Sequence, residues 1–162
     1  VVPLRNTGAA ISPFNSFLIL QGIETLALRM DRICTNTIKV AEYLKKHAKV
    51  EWVNYAGLPD HADHALVQKY MGGRASGILS FGVKGGFEAG GRFQDALKLI
   101  TRLVNIGDAK SLACHPASTT HRQLSPAELA KAGVSPDMVR LSIGIEHIDD
   151  IVADLEQALA AV

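Results

Sequence analysis

LACHPASTTHRQLSPAELAKAGVSPDMVRLSIG, residues 112–144, is the stretch whose reading decides the fold. It opens as a strand, passes through a polar segment and a short helix, and returns as a second strand. It then ends at a turn that launches the final helix. Ser125-Pro126-Ala127-Glu128 is a clear helix start, with a capping Ser, Pro in the first turn and Glu three residues after the cap; Gly133 ends that helix. In Met138-Val139-Arg140-Leu141-Ser142, strand alternation puts Val139 and Leu141 on a core face and Arg140 opposite. An arginine so placed can grip a carboxylate or phosphate with its two-pronged fork; a solvated strand face is the plainer account. The segment His115-Pro116-Ala117-Ser118-Thr119-Thr120-His121 is rich in small hydroxyl residues, and the expectation is that it lies outside the core.

Working outward, Ser12-Pro13 reads as a helix start. Apolar residues then recur at three and four from Phe17 to about His47. This predicts one long helix, or two with a bend near Thr35-Asn36-Thr37, where intrinsic propensity dips. Val50 to Tyr55 reads as a strand closed by Gly57-Leu58-Pro59. A helical segment containing His61 and His64 follows, reaching Tyr70. A glycine-rich turn over residues 71–77 precedes a strand at Ile78–Val83. Lys84-Gly85-Gly86 leads to a helix running through Leu97 to Thr101, with Phe93, Leu97 and Ile100 as its apolar stripe. Residues 103–108 read as a short strand and turn, and 111–114 as another strand. In the last helix, about His147 to Leu159, Ile148, Ile151, Val152, Leu155 and Leu159 share a face, with Asp149, Asp150, Asp154 and Glu156 largely outside. The pattern predicts a two-layer α/β (α+β) domain, with a mainly antiparallel sheet covered on one face by helices.

Length and composition narrow the function classes. The 162 residues suffice for one well-filled core, and 48% apolar with 20% charged residues is ordinary for a globular domain. A formal net charge of +1 supplies no field to draw nucleic acid or anionic lipid. No stretch reads as a signal peptide or a membrane span, so the expected location is cytoplasmic. The chain opens with valine rather than methionine, which suits a processed or excised fragment.

Several chemical motifs fail on their components. His61 and His64 lack a third ligand for zinc. The glycine-rich turn lacks the terminal Lys-Ser/Thr of a nucleotide loop and precedes a strand. His115, Ser118 and His121 imitate a Ser-His arrangement without a nucleophile elbow or an orienting acid. Cys34 and Cys114 read as buried spacers, with no adjacent base to make a thiolate. Asn105, polar inside a short apolar run, reads as an exposed edge residue or one that bonds the backbone.

Separated blocks nevertheless recur in a familiar order. They are Ser12-Pro13-Phe14-Asn15, Gly22-Ile23-Glu24-Thr25-Leu26, NIGDAKSL (105–112), HPAST and TH (115–121), the Gly133–Asp137 linker, and VRLSIGIEHIDDIVADLEQAL (139–159). Nearly throughout, the chain resembles the pyridoxal-phosphate (PLP) enzymes of cysteine and methionine metabolism, with the O-acetylhomoserine sulfhydrylase branch nearest. The resemblance implies the small C-terminal domain of a fold-type I PLP enzyme. Residues 1–15 would be an inter-domain tether and lead-in loop and 16–162 the substrate-clamp domain. The PLP-binding large domain would be absent from this chain.

The resemblance also implies a cytoplasmic homotetramer acting in methionine biosynthesis. It would convert O-acetyl-L-homoserine and sulfide to L-homocysteine and acetate by γ-replacement. Methionine γ-lyase and cystathionine γ-synthase are sister readings, and an isolated non-catalytic domain is a further alternative. Among site residues, it implies that Arg140 binds the substrate α-carboxylate. Asn105, where many relatives carry Ser, would make a neighbouring contact, and Ser118 to His121 would shape the mouth. The Schiff-base lysine would belong to the preceding domain, since no lysine here sits in a Ser-x-Thr-Lys setting. No catalytic, cofactor-binding or metal-binding residue is therefore expected in this chain, and no PLP bound to it alone. The expected partners are the preceding domain, further copies of the chain and an amino-acid substrate, with no nucleic acid and no membrane.

Overall fold

The computed structural model describes residues 2–162. A short helix, Val2–Thr7 (α1), falls in the stretch expected to be a tether. Ser12 caps the next helix, Pro13–Glu24 (α2), its hydroxyl accepting from the Asn15 N–H. The third helix, Leu26–Lys46 (α3), follows directly. The long apolar pattern is thus two helices, but the break is at Thr25 and not at Thr35-Asn36-Thr37. Thr35 and Thr37 donate their hydroxyls to Asp31 O and Ile33 O, both at 2.7 Å, which absorbs their polar groups inside the helix. Asn36 sends its amide outward instead, to Gly144 O and Glu146 O at 3.0 Å each. At the true break, the Arg29 guanidinium donates to Gly22 O, serving a carbonyl near the end of α2.

The remaining elements are Val50–Asn54 (β1), His64–Met71 (α4), Ile78–Val83 (β2), Gly86–Ala96 (α5), Thr101–Arg102 (β3) and Leu112–Cys114 (β4). After them come a 3-10 turn at Pro116–Ser118, Pro126–Lys131 (α6), Met138–Ser142 (β5) and Ile148–Ala160 (α7). The strands form one sheet in the order β1-β2-β5-β4-β3. All pairings are antiparallel except β3 with β4. This is the expected two-layer architecture.

Register divides the sheet cleanly. Val53 lies opposite Phe81, Phe81 opposite Val139, Leu79 opposite Leu141, and Leu141 opposite Ala113. These residues pack with Val40, Leu44, Phe93, Ile151, Leu155 and Leu159 of α3, α5 and α7 in one apolar core. Phe81 meets Phe93 edge-on, with centroids 5.5 Å apart, the geometry that adds about 1 kcal/mol beyond burial. At one end, the Trp52 indole crosses Gly82 to donate to Asp137 Oδ2 at 2.8 Å. A Cβ on Gly82 would overlap both side chains. This contact pins β1 and β2 to the turn that enters β5.

Two expectations about the helices are overturned together. α5 ends at Ala96, not Thr101, and Asp154 is buried rather than outward. Its carboxylate accepts from the backbone N–H groups of Lys98, Leu99 and Ile100 at 2.9, 3.0 and 2.8 Å. Segment 97–100 is non-helical backbone on its way into the sheet. Its N–H groups need acceptors, and an aspartate on the inner side of α7 supplies them.

One element has no cover. No residue of α2 is buried. Phe14, Phe17, Leu18, Ile19, Leu20 and Ile23 are each more than half exposed, and at helical spacing they point to every side. A helix apolar all round is a buried type of helix. Light scattering of this chain should show mass rising with concentration, and Phe17→Gln with Leu20→Gln should reduce the rise; a constant monomer mass in the unsubstituted chain would contradict this account. Separately, Asp154→Ala should lower unfolding stability in urea by about 2 kcal/mol, within the range for stranding the buried Ile100 N–H, with the half-buried Lys98 and Leu99 N–H groups free to turn to water.

Candidate functional site

The sheet face turned away from α3, α5 and α7 carries a different row. Asn54 pairs with Ser80, Ser80 with Arg140, and Arg140 with Cys114. These residues occupy the alternate positions of the strands whose other positions fill the core. They line a cleft of about 600 Å³ that also takes in Tyr55, His61 and His121. A larger hollow of about 780 Å³, beside α6, is walled by Phe87, Leu124, Leu129 and Val134, with Arg122 as its charged residue. The cleft holds the more selective chemistry: a half-buried guanidinium among hydroxyl, amide and imidazole groups, with Asp63 as the one carboxylate of the lining.

Arg140 donates from Nη2 to the backbone carbonyl of Asn105 at 3.1 Å. Among the described residues it has no carboxylate partner. One edge of the fork is therefore steadied by a neutral carbonyl, and the guanidinium makes no direct ion pair. The structure brings together the two residues singled out in the sequence, though through the Asn105 main chain. The Asn105 side chain is occupied locally. Its Oδ1 accepts from Ile106 N at 2.8 Å, and its Nδ2 donates to Asp108 Oδ2 at 3.4 Å.

Asp108 closes this turn, its Oδ1 accepting from Lys110 N at 3.0 Å. That backbone N–H, with help from the Asn105 amide, holds the Asp108 carboxyl below the usual range. At the far end of the cleft, Tyr55 donates to Ser76 O at 2.9 Å. Burial, reinforced by Cys34, pushes its phenol well above the ordinary value, so the group stays a neutral donor. His61 Nδ1 accepts from Asp63 N, which leaves Nε2 to donate to Asn54 Oδ1 at 2.8 Å.

The polar segment at the cleft rim lies only partly outside the core: Ser118 to His121 are partly or fully exposed, but its first three residues are not. His115, Pro116 and Ala117 are buried, and His115 is fully so. Burial is tolerated because both ring nitrogens are served. Nε2 donates to Pro136 O at 2.8 Å, and Nδ1 accepts from Ser118 Oγ at 2.8 Å. Gly90 makes the space, since a Cβ there would lie 2.6 Å from His115 Nε2. His115 is thus a core histidine, and its contact with Ser118 is no nucleophile-base pair, because Nε2 is bound to a carbonyl and not to an acid. Cys114 is buried, with Sγ 3.2 Å from Thr119 Oγ1, and Cys34 is buried in α3.

His61 lies before α4 rather than on it, so the helical spacing with His64 is not realised. No group of three or more metal-ligating side chains forms among the described residues. Among the described residues the cleft lining contains no lysine that could form a Schiff base to PLP. No helix among the described residues is long and apolar enough to cross a membrane. Asn54, Ser80, Tyr55 and His61 were not anticipated as cleft residues. Ser80 carries the same signal as Arg140, a polar residue at an alternate position of an apolar strand.

A sequence model of the family described as Cys/Met metabolism PLP-dependent enzyme matches residues 2–160. The chain is 54% identical over 157 residues to O-acetyl-L-homoserine sulfhydrylase 1 of Thermus thermophilus, covering 97% of this chain and 37% of the relative. It is 57% identical to O-acetyl-L-homoserine sulfhydrylase of Leptospira meyeri, covering 96% and 36%. It superposes with a TM-score of 0.88, at 47% identity and covering 97% and 37%, on a Campylobacter jejuni crystal structure. That structure is described as a putative O-acetylhomoserine (thiol)-lyase with N'-pyridoxyl-lysine-5'-monophosphate. The chain belongs to this family of Cys/Met metabolism PLP-dependent enzymes, and it spans little more than a third of the length of these relatives.

The Asp108 turn carries a pH signature. A carboxyl whose value is lowered by folding contributes stability that is present above its unfolded value and lost as pH falls through the folded one. The Lys110 amide resonance should therefore titrate with a midpoint below about 3.9, the ordinary aspartate value. A midpoint at or above that value would show that the Asp108–Lys110 contact does not form.

Proposed function

We propose that this member of the Cys/Met metabolism PLP family is the C-terminal substrate-clamp domain of an O-acetylhomoserine sulfhydrylase. The parent would join O-acetyl-L-homoserine and sulfide to give L-homocysteine and acetate, as a homotetramer. Residues 1–15 would connect to a cofactor domain, and residues 16–162 would form the clamp. PLP, held on a lysine of that other domain, would supply the electron sink for bond changes at the substrate's α, β and γ carbons. No lysine of this cleft takes part.

The observation that carries the reading is the Arg140 guanidinium at the centre of the polar row, without a direct ion pair and steadied by Asn105 O at 3.1 Å. An amino-acid carboxylate supplies the charge and the two parallel acceptors that such a fork fits. Arg140 would bind the α-carboxylate and so fix the amino acid's orientation. Asn105 would define the edge of that subsite. Tyr55, His61 and Ser80 would give the cleft polar walls beside the arginine, with Asp63 as the acidic residue of the same lining. Among the described residues, Arg140 is the one lysine or arginine in the cleft lining, which suits a substrate with one carboxylate. Elimination, as in a γ-lyase, would use the same arginine; the lean toward replacement rests on the sulfhydrylase relatives, and product analysis with and without sulfide separates the two.

In the full-length parent, Arg140→Lys should lower kcat/KM for O-acetylhomoserine at least about tenfold, a loss of roughly 1.4 kcal/mol. Lysine keeps the charge but lacks the planar fork. Arg140→Ala should cost more, because the counter-charge goes too. Both variants should keep the cofactor's absorbance. Near-normal turnover by Arg140→Ala would defeat the clamp assignment.

A further inference from the structure

The loop that presents Asn105 to Arg140 has little regular structure, and its far end is bolted to the turn that follows β5. Glu146 sits in the turn between β5 and α7. Its Oε1 accepts from Ser111 N at 2.6 Å, and its Oε2 accepts from Ser111 Oγ at 2.9 Å. Ser111 Oγ in turn accepts from Gly144 N at 2.9 Å. Ile145 N donates to Ala109 O at 3.0 Å. Asn36 of α3 grips the same turn through Gly144 O and Glu146 O. A Cβ on Gly144 would overlap Ala109 O, so loop and turn lie in direct contact. Ser111 is fully buried, and none of these groups lines the cleft.

Arg140 belongs to β5, while Asn105 lies three residues beyond β3, where Leu103 N donating to Ala113 O at 3.2 Å is the last tie to β4. The Glu146 bolt holds the other end of the same loop. Between Asn105 and Ser111, the turn is held internally by Asp108, which accepts from Lys110 N and from the Asn105 amide. Glu146 then anchors that preformed turn to the end of the strand carrying Arg140. The two carboxylates act in series, Asp108 shaping the turn and Glu146 placing it.

We infer that Glu146 is a positioning residue for the amino-acid carboxylate subsite: through Ser111 it holds the 105–110 loop where the Asn105 carbonyl can orient the Arg140 guanidinium. The inference rests on the reading of Arg140 as the carboxylate clamp. Glutamine at 146 could still accept from Ser111 N, but its amide nitrogen could not accept from Ser111 Oγ. The bolt would loosen without leaving a cavity.

The test is a double-mutant cycle in the full-length holoprotein with Glu146→Gln and Arg140→Ala. Glu146→Gln alone should raise KM for the amino-acid substrate about fivefold to tenfold, with KM for sulfide and the cofactor spectrum unchanged, and should speed amide exchange at Ser111 and across 105–110. In the Arg140→Ala background, the same change should cost less than about twofold, because the group it positions is gone. An undiminished effect in that background would make Glu146 a merely structural residue and overturn the inference, as would protected loop amides in the single variant. Near-normal turnover by Arg140→Ala would instead sink the clamp reading itself, and the positioning role with it. Should Glu146→Gln fail to fold, Ser111→Ala, which deletes the contacts of Oγ with Glu146 and Gly144, takes its place in the cycle: a loss that shrinks in the Arg140→Ala background supports the positioning role, and one that does not overturns it.

Discussion

The pleat shared by β2, β5 and β4 is the constraint on which the rest depends. Its alternation sends Leu79, Phe81, Val139, Leu141 and Ala113 into the core and leaves Ser80, Arg140 and Cys114 on the reverse face. A slip of one residue would exchange the two sets, driving a guanidinium against α5 and α7 and exposing the apolar row. Core packing and the assembly of the cleft are therefore the same event. The Trp52–Asp137 contact across Gly82 protects that register at one end, and the short pairing of Leu112 with Ser142 carries it to the other.

Acidic side chains have a second role here: they accept from backbone N–H groups where a regular element ends. Asp154 collects three N–H groups where α5 has ended and β3 has not begun. Glu146 collects the Ser111 amide and hydroxyl where the loop re-enters the sheet. Glu128 completes a capping box with Ser125, and Asp108 closes a turn. Each acts where regular hydrogen bonding stops, and an unmet buried N–H is costly at such points. The cleft inherits its shape from these junctions as much as from the strands.

The domain's core is complete, yet two surfaces are left uncovered: the apolar helix α2 and the open sheet face with its unpaired arginine. They differ in chemistry. The first is an apolar surface of the kind that another folded body covers. The second is a polar recess whose charge calls for a small anion. Both belong to a chain about a third as long as the sulfhydrylases it matches.

Much was decided by local sequence. The Ser125-Pro126-Glu128 cap, the Ser12-Pro13 start, the glycine-rich turn and the outward placement of Arg140 all follow from short-range rules of capping, positive φ and alternation, and the structure contains each. What local rules could not supply was partnership across distance. Thr35-Asn36-Thr37 looked like a weak point, but hydroxyls that bond back along the helix, and an amide that reaches Gly144, keep α3 whole. Asp154 looked outward because charge on an amphipathic helix usually is; only the end of α5, brought alongside by folding, gives it three donors. His115 looked like part of a surface loop; the Pro136 carbonyl, the Ser118 hydroxyl and the gap at Gly90 make it core. Asn105 and Arg140 were each marked by being polar in apolar surroundings, but that one's carbonyl steadies the other is set by strand register and the Glu146 bolt. Polar residues are ambiguous in one dimension, because their hydrogen bonds are satisfied by whatever the tertiary structure places within about 3 Å of them.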